Sequence, residues 1–226
     1  MRCVVLAIVC CLAVSSCWGD DFQTECLNNW HQWRGPRADG LAPQGDPPIH
    51  WDEKKNVRWK VAMPGEGHAT PIIWGDRIFV LAAVKTDREV ASLDPPKIEP
   101  PGGYKTPRPV AYYRLVVVCV DRETGQVKWE RVAHELVPHE GRHPTNTYAS
   151  ASPTTDGRRL YVSFGSHGIF CYDLEGQRIW DRDLGDMVTR FGWGEGTSPV
   201  LHGNRLIVNW DHEGQSFLVV LDTASG

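Results

Sequence analysis

The chain has 226 residues, with 24 Lys plus Arg against 28 Asp plus Glu, and a formal net charge of −4. Nucleic-acid-binding domains concentrate Lys and Arg on one face, and this sequence has no such basic stripe. We therefore expect no nucleic acid among the partners of this protein.

Residues 1–19 have the layout of a secretory signal peptide. Arg2 gives a basic start, an apolar run follows from Val4 to Val14, and small residues follow the run. The run is shorter than the roughly 20 residues that a membrane-spanning helix needs, and no later stretch is apolar for longer, so we expect no transmembrane segment. The sequence predicts export to the periplasm or cell envelope, with a mature N-terminus between Cys17 and Asp21.

Two other interpretations of this segment stay open. Val14–Cys17 is similar to a lipoprotein box, in which the cysteine becomes the lipidated N-terminus, so Cys17 is a possible lipid anchor. The segment is alternatively a buried N-terminal helix, although Asp20 and Asp21 follow at once and nothing continues a helical pattern. We expect no helix after the signal.

One sequence pattern occurs three times in residues 57–226. Each copy has a Ser-Pro or Thr-Pro pair, a glycine turn, two apolar strand-like runs and a turn that begins with aspartate and ends with glycine. Those final turns are Asp121–Gly125, Asp173–Gly176 and Asp222–Gly226. The aspartate accepts hydrogen bonds from backbone amides just beyond it, and glycine adopts the positive φ that closes a hairpin. Short strands at regular spacing without helical periodicity predict an all-β fold.

The spacing of the copies predicts the architecture. Ser152 and Ser198 open successive copies, and their separation falls within the roughly 40 to 50 residues of a four-stranded propeller blade. We therefore predict a β-propeller of four-stranded blades over residues 57–226, after an N-terminal extension at residues 20–56.

The residues of the repeat resemble a known family. The pattern Asp-x-x-Thr-Gly-x-x-x-Trp at Asp121–Trp129 resembles the repeat of pyrroloquinoline-quinone (PQQ) propellers, which include quinoprotein alcohol dehydrogenases and the outer-membrane-assembly lipoprotein of Gram-negative bacteria. Trp30–Pro36, Asn56–Lys60 and Gly65–His68 are similar to a narrower set of exported propellers that are abundant in planctomycete-type bacteria. A repeat motif specifies a scaffold rather than a chemistry.

The resemblance implies a longer ring than this chain supplies. About three blades of an expected seven or eight are present, and a full ring needs roughly 300 to 400 residues. Val57–Val61, with Trp59 at the repeat-tryptophan position, is predicted as the strand that closes the ring. Residues 20–226 alone are then expected to be marginally stable or to aggregate through exposed strand edges.

A quinone site is not expected in this chain. In the family such a site typically uses a vicinal disulfide, a tryptophan platform and an acidic calcium site, and the only adjacent cysteines here are Cys10 and Cys11, inside the signal. We predict no catalytic, cofactor-binding or metal-binding residue, with PQQ and calcium as cofactors only if the chain is part of an oxidoreductase.

The segment between residues 134 and 143 is the strongest candidate for a metal site. Imidazole and carboxylate groups suit zinc or iron, and the segment holds five of them: His134, Glu135, His139, Glu140 and His143. Pro138 and Pro144 break any helix, and the spacing is not that of a helical zinc motif. A polar loop between blades is the favoured interpretation.

The other polar groups form no recognisable motif. Gly192–Gly196 precedes a predicted strand rather than a helix, so it lacks the helix N-terminus of a phosphate loop and is interpreted as a flexible loop. Ser150, Ser152 and Asp156 do not form a nucleophile motif. The scattered histidines are interpreted as loop or turn residues: His31, His68, His167 and His212.

Repeat positions also assign the buried residues. Cys119 and Cys171 both lie two residues before the turn aspartate, where the third copy has Val220, so both are predicted to be buried free thiols in apolar packing. Three of the ten tryptophans lie at matching positions and are predicted to pack between blades: Trp59, Trp129 and Trp180.

A proline-rich insertion at residues 84–111 interrupts the first copy and is predicted to be an extended surface loop. Loops on a rigid scaffold commonly carry specificity. The favoured functional hypothesis is an exported scaffold that binds a protein or cell-envelope polymer without catalytic activity of its own. The alternative is part of a quinoprotein-like, PQQ-dependent oxidoreductase whose active site lies in other blades.

Overall fold

The computed structural model describes residues 18–94 and 99–226. The predicted signal core and Cys17 lie outside the described residues. Three antiparallel sheets follow one another along the chain, the first two with four strands and the third with three. Within each sheet, strands that are consecutive in sequence are neighbours. The predicted all-β propeller architecture is confirmed.

The first sheet contains β1 (Ile72–Trp74), β2 (Arg77–Glu89), β3 (Ala111–Asp121) and β4 (Val127–Leu136). The second contains β5 (Thr154–Thr155), β6 (Arg159–Ser163), β7 (Ile169–Asp173) and β8 (Arg178–Arg182). The third contains β9 (Val200–His202), β10 (Arg205–Trp210) and β11 (Phe217–Asp222). Two short 3-10 turns occur at Gly165–His167 and Arg190–Gly192.

The apolar runs of the repeat form central strands because both of their faces are covered. Leu160 and Val162 of β6 pack in the apolar cluster between the first and second sheets. Tyr161, which points to the opposite face, packs with Leu206 and Val208 of the third sheet. All five residues are at most 2% exposed. This two-sided burial explains why the repeat shows continuous apolar runs rather than alternation.

The register of the sheets confirms the repeat alignment. Cys119 pairs with Trp129 across β3 and β4, and Cys171 pairs with Trp180 across β7 and β8. The three cysteines that the structure describes are free and buried: Cys26, Cys119 and Cys171. The predicted free thiols at Cys119 and Cys171 are therefore confirmed.

Each turn of the repeat receives a tryptophan from the preceding blade. The indole Nε1–H of Trp129 donates to Leu174 O at 3.0 Å, and that of Trp180 donates to Thr223 O at 3.1 Å. Trp59 makes the same bond to Arg122 O at 3.0 Å. The predicted inter-blade packing of these tryptophans is confirmed, and it ties each blade to the next.

Two local expectations were wrong. A helix, α1 (Trp18–Cys26), crosses the predicted end of the signal, and its Phe22 stacks on Trp74 at 5.5 Å. Residues 57–61 pair with none of the described strands, while Trp59 and Val61 pack on the outer face of the first sheet; their role as the strand that closes the ring stays a prediction. Strand β2 continues to Glu89, so the irregular part of the predicted 84–111 insertion starts after that residue. Within the described ranges, no helix has the length and apolar character to cross a membrane.

Candidate functional site

The connections between strands collect the chemically interesting residues at one end of the blades. In a four-stranded antiparallel blade, the link between the second and third strands and the link to the next blade lie at the same end. Here these are the β4–β5, β6–β7 and β8–β9 connections, which enclose a cavity of about 30 Å³. Its lining includes His139, Glu140, His167 and Glu195. A cavity needs roughly 10 to 15 Å³ to hold one water molecule, so this cavity has room for an ion or for one or two water molecules.

Two carboxylates lie in this cavity on separate connections. Glu140, between β4 and β5, is 2% exposed and accepts hydrogen bonds from the backbone N–H of Thr189 at 3.2 Å and from the Thr189 hydroxyl. Glu195, between β8 and β9, accepts from the backbone N–H of Ser166 at 2.7 Å and from the Ser166 hydroxyl at 2.5 Å. Both carboxylates are therefore held by neutral donors from a second segment.

Burial dominates the electrostatics of both acids. Burial raises the pKa of Glu195 to about 7, against the lowering effect of the Ser166 hydrogen bonds and of His139. Burial likewise raises the pKa of Glu140. In the described part of the chain, no Lys or Arg side chain forms an ion pair with either acid, and Arg142 pairs with Glu66 instead. Burial thus favours the neutral form of both acids, because no Lys or Arg side chain in the described residues balances their charge when they ionise.

Two histidines complete the cavity wall. The Nε2 atom of His139 lies 2.8 Å from Met187 O; since a carbonyl only accepts, Nε2 carries the hydrogen. His139 Nδ1 is buried and has no hydrogen-bond partner. The ring of His167 contacts that of His139 edge-on at 5.4 Å. Burial, followed by the neighbouring His139 and His134, lowers the pKa of His167 to about 3, so His167 is a neutral wall residue.

Glycine at position 165 makes room for Glu195. Gly165 has φ +59, and a Cβ atom there would lie 1.6 Å from Glu195 Oε2. A side chain at position 165 is therefore incompatible with the observed position of this carboxylate. The next residue, Ser166, donates to the carboxylate and accepts from Met187 N at 2.7 Å.

A wider cleft of about 360 Å³ opens beside the cavity, and Gly194–Thr197 lines both. The rest of its lining is mostly polar: Met187, Thr189, Arg190, Asp211, His212 and Glu213. Two bonds hold its walls together: His212 Nδ1 accepts from Val188 N at 3.1 Å, and Glu213 N donates to Val188 O at 2.9 Å. Trp193, which directly precedes the lining residue Gly194 in sequence, is 45% exposed.

The proline-rich insertion reaches this same end of the blades. Lys105 N donates to Phe191 O at 2.9 Å, and the Thr106 hydroxyl donates to Gly192 O at 2.5 Å. Phe191 has a φ of 58°, which is unfavourable for an aromatic residue. The insertion therefore fixes the loop that leads to Glu195, although residues 95–98 lie outside the described part of the chain.

The structure separates the five candidate residues near position 140. His139 and Glu140 lie in the β4–β5 connection, a loop between blades, and their side chains line the cavity. His134 Nδ1 contacts His167 O at 3.2 Å, Glu135 pairs with Arg88, and His143 Nδ1 contacts the Thr145 hydroxyl. The glycine-rich segment, interpreted from sequence as a flexible loop, supplies the second acid, Glu195.

The remaining sequence candidates have local roles. His31 is buried near Cys26 and α1, and His212 is a cleft residue. Ser150 lines the cavity but bonds to Asn146 and Thr147. Ser152 accepts from Thr70 N at 2.9 Å. Asp156 accepts from the Tyr161 hydroxyl at 2.8 Å.

Comparison of sequences finds no match: neither a protein-family model nor a curated protein matches this chain. Comparison of structures finds similar chains, among them a methanol dehydrogenase and two quinohemoprotein alcohol dehydrogenases. The europium-containing methanol dehydrogenase superposes with a TM-score of 0.51 at 12% identity, over 92% of this chain and 32% of that one. Quinohemoprotein alcohol dehydrogenases from Pseudomonas putida and Comamonas testosteroni give TM-scores of 0.48 and 0.38, at 12% and 11% identity. The superpositions include 91% and 72% of this chain, and 26% and 20% of those two dehydrogenases, respectively.

The chain thus spans about a third or less of each of these proteins. The superposition on the methanol dehydrogenase concerns the backbone, and at 12% identity it carries no information on activity. Together with the repeat geometry, it shows that the described part of this chain has the fold of a segment of a β-propeller with four-stranded blades.

Proposed function

We propose that this chain is part of an exported β-propeller that binds a hydroxyl-rich polysaccharide of the cell envelope in the cleft beside Glu195. The observation that carries the proposal is the cleft itself, which has about 360 Å³ and a polar lining. Ligand sites for small molecules have volumes of about 300 to 1,000 Å³. A cleft of this size accommodates one or two sugar rings of a longer polymer.

The chemistry of the lining favours hydroxyl donors. Asp211 and Glu213 offer carboxylate oxygens, Thr189 and Thr197 offer hydroxyls, and Arg190 is the one lining residue with a fixed positive charge. Acidic groups outnumber the cation, so an anionic polymer is disfavoured, while a neutral or amino-bearing glycan meets acceptors for its hydroxyl and amino hydrogens.

An exposed aromatic residue that directly precedes the lining residue Gly194 supports the same ligand class. Trp193 is 45% exposed and is held in place by edge-on contacts with Phe191 at 5.1 Å and His143 at 5.9 Å. Tryptophan offers a large apolar face together with a polar N–H group. The apolar face of a sugar ring packs against such a surface, while its hydroxyls reach the acceptors in the cleft.

Binding to neutral envelope polysaccharides, measured by co-sedimentation and by calorimetry with soluble oligosaccharides, tests the proposal. Trp193→Ala and Glu213→Gln are expected to weaken binding, each by roughly 10-fold. Trp51→Ala is the matched control, since Trp51 is 73% exposed and, unlike Trp193, is not adjacent in sequence to any residue that lines the cleft. Equal losses for both tryptophan variants, or no binding by the wild-type protein, would remove the proposal.

Export and anchoring belong to the same proposal. The N-terminal pattern supports an extracytoplasmic location, and Cys17 stays the possible lipid anchor. Mass spectrometry of the mature protein distinguishes ordinary signal cleavage from lipidation. An N-terminus within residues 17–21 supports export, and a diacylglycerol on Cys17 supports a lipoprotein. A retained Met1 contradicts both interpretations.

The alternative role in a PQQ-dependent oxidoreductase requires room for the quinone. The enclosed cavity has only about 30 Å³, far below the roughly 300 Å³ of typical cofactor sites. The wider cleft presents the carboxylates of Asp211 and Glu213, which repel a quinone that itself carries three carboxylates. The residues described here therefore do not fit the quinone, and the oxidoreductase alternative stays a prediction.

A further inference from the structure

We propose that Glu140, Glu195 and His139 bind one divalent transition-metal ion, of the class of Mn²⁺ or Zn²⁺, in the enclosed cavity. The inference is independent of the polysaccharide proposal, because it concerns the inner cavity rather than the cleft. Imidazole is a preferred ligand of zinc and carboxylates are preferred ligands of manganese, and this set combines the two.

The three side chains are close enough to share an ion. One ligand atom of each, a ring nitrogen of His139 and a carboxylate oxygen of each glutamate, lies within 4.8 Å of the other two. A metal about 2.1 Å from each ligand atom holds those atoms roughly 3 to 4 Å apart. Small side-chain movements close that difference, and the cavity of about 30 Å³ offers the volume of an ion with a bound water.

The two buried carboxyl groups favour a bound cation. Glu140 is 2% exposed and the side chain of Glu195 is 15% exposed. Buried carboxylates are normally paired with a cation or coordinate a metal, because an uncompensated buried charge is unfavourable. The hydrogen-bond donors to these acids are the neutral residues Thr189 and Ser166. Across the described ranges, neither acid has a lysine or arginine partner.

The surroundings of His139 allow its Nε2 atom to act as the metal ligand. Metal-ligating histidines commonly point one ring N–H at a carboxylate or a backbone carbonyl, which leaves the other nitrogen for the metal. His139 Nε2 lies 4.0 Å from Glu195 Oε1, and Nδ1 lies 4.0 Å from Asp186 Oδ1 without a hydrogen bond. In the metal-free structure Nε2 donates to Met187 O; with the hydrogen on Nδ1, facing Asp186, Nε2 is available to the ion. Ser166 and Thr189 orient the two carboxylates in the same manner, because each donates through both its backbone and its hydroxyl.

A proton shared between the acids is the competing explanation for their burial. Both interpretations predict two close carboxylates, but only a metal site predicts specific binding of an ion. Stability separates them further, since an ion that binds only the folded state raises its melting temperature.

Calorimetry and electron paramagnetic resonance with Mn²⁺, and competition with Zn²⁺, test the site on protein that has been freed of metal with a chelator. We expect one Mn²⁺ ion per chain and a rise in melting temperature on its addition. Glu140→Gln and Glu195→Gln are each expected to weaken binding by about 100-fold or more, because even residues that merely orient ligands contribute about 10- to 100-fold. Ser166→Ala is expected to weaken it by about 10-fold.

Glu135→Gln is the matched control, since Glu135 pairs with Arg88 and lies outside the cluster. It should leave Mn²⁺ affinity within about threefold of wild type, because substitutions at independent sites act separately. A folding defect is recognised separately: without metal, Glu195→Gln should melt at or above the wild-type temperature, because it removes a buried carboxyl group. No specific Mn²⁺ or Zn²⁺ binding, or equal losses for Glu135→Gln and Glu195→Gln, overturns the proposal. Polysaccharide binding that persists after metal removal leaves the proposed function intact and shows that the two sites act separately.

Discussion

Replacing Gly176 with alanine tests how the blades are joined. Gly176 has φ +84, and a Cβ atom there would lie 2.9 to 3.1 Å from three ring atoms of Trp129. Gly185 has nearly the same backbone conformation, φ +92, but a Cβ atom there would meet no atom within 4 Å. The two substitutions therefore share the cost of a left-handed alanine, and only Gly176→Ala displaces the docked indole.

The magnitude follows from these contacts. A left-handed conformation costs a residue other than glycine about 1 to 2 kcal/mol, which applies to both variants. At Gly176 the crowded indole adds an overpacking cost of about 1 to 3 kcal/mol. Weakening of the Trp129 N–H bond to Leu174 O adds about 1 kcal/mol. We expect Gly176→Ala to lose roughly 2 to 4 kcal/mol more than Gly185→Ala.

Urea denaturation followed by circular dichroism gives the free energy of unfolding, and thermal melts check it. The expected difference corresponds to roughly 4 to 16 °C in Tm for a chain of this size. A double variant sharpens the test: with Trp129→Phe present, the smaller ring should lower the extra cost of Gly176→Ala, a non-additive result. Equal destabilisation by Gly176→Ala and Gly185→Ala would refute the docking argument.

Three further predictions concern other parts of the fold. Burial lowers the pKa of His31 from 6.5 to about 4, so its stabilising contribution is present above pH 6.5 and is lost as the pH falls toward 4. Denaturation curves between pH 6.5 and 4 should show a loss of up to about 3 kcal/mol in the free energy of unfolding. His31→Leu should reduce this pH dependence; an unchanged pH dependence in the variant would contradict the role of His31. Burial raises the pKa of Cys119 to about 11, so its thiol should react with a thiol reagent only after unfolding. Cys119→Val should change stability by less than about 1.5 kcal/mol, as the valine at the equivalent position 220 implies; a larger loss would mean that the positions are not equivalent. Gly165→Ala should lower Mn²⁺ affinity in calorimetry at least as much as Ser166→Ala, because the added Cβ displaces Glu195; unaltered affinity would contradict the site.

The sequence was sufficient for the parts of the fold that repeat. The turn aspartates, their closing glycines and the docked tryptophans come back at fixed spacing, so each copy checks the others. Asp121 shows why the pattern persists: its carboxylate accepts from the amides of Glu123 and Thr124 at 3.0 and 2.9 Å. Such contacts span only a few residues, and local contacts of this kind can be read from sequence.

The sequence was insufficient where a contact joins distant segments. Glu140 and Glu195 are separated by a complete blade, and no spacing rule relates them. Glu195 lies within a glycine-rich stretch that favours a loop interpretation, and His139 and Glu140 lie beside three similar residues with other partners.

The two ends of the blades are under different constraints. The hairpins between the third and fourth strands carry the aspartate–glycine turns and receive the tryptophans, so their sequences are restricted by inter-blade packing. The opposite end carries the β2–β3, β6–β7 and β10–β11 connections, and these are respectively a long proline-rich insertion, the tight Gly165–His167 turn and the acidic Asp211–Ser216 loop. These connections differ because no repeated packing contact restricts them. The cavity, the cleft and the docked insertion all lie at this end, where the copies differ from one another, and substitutions there should alter ligand binding more than blade packing.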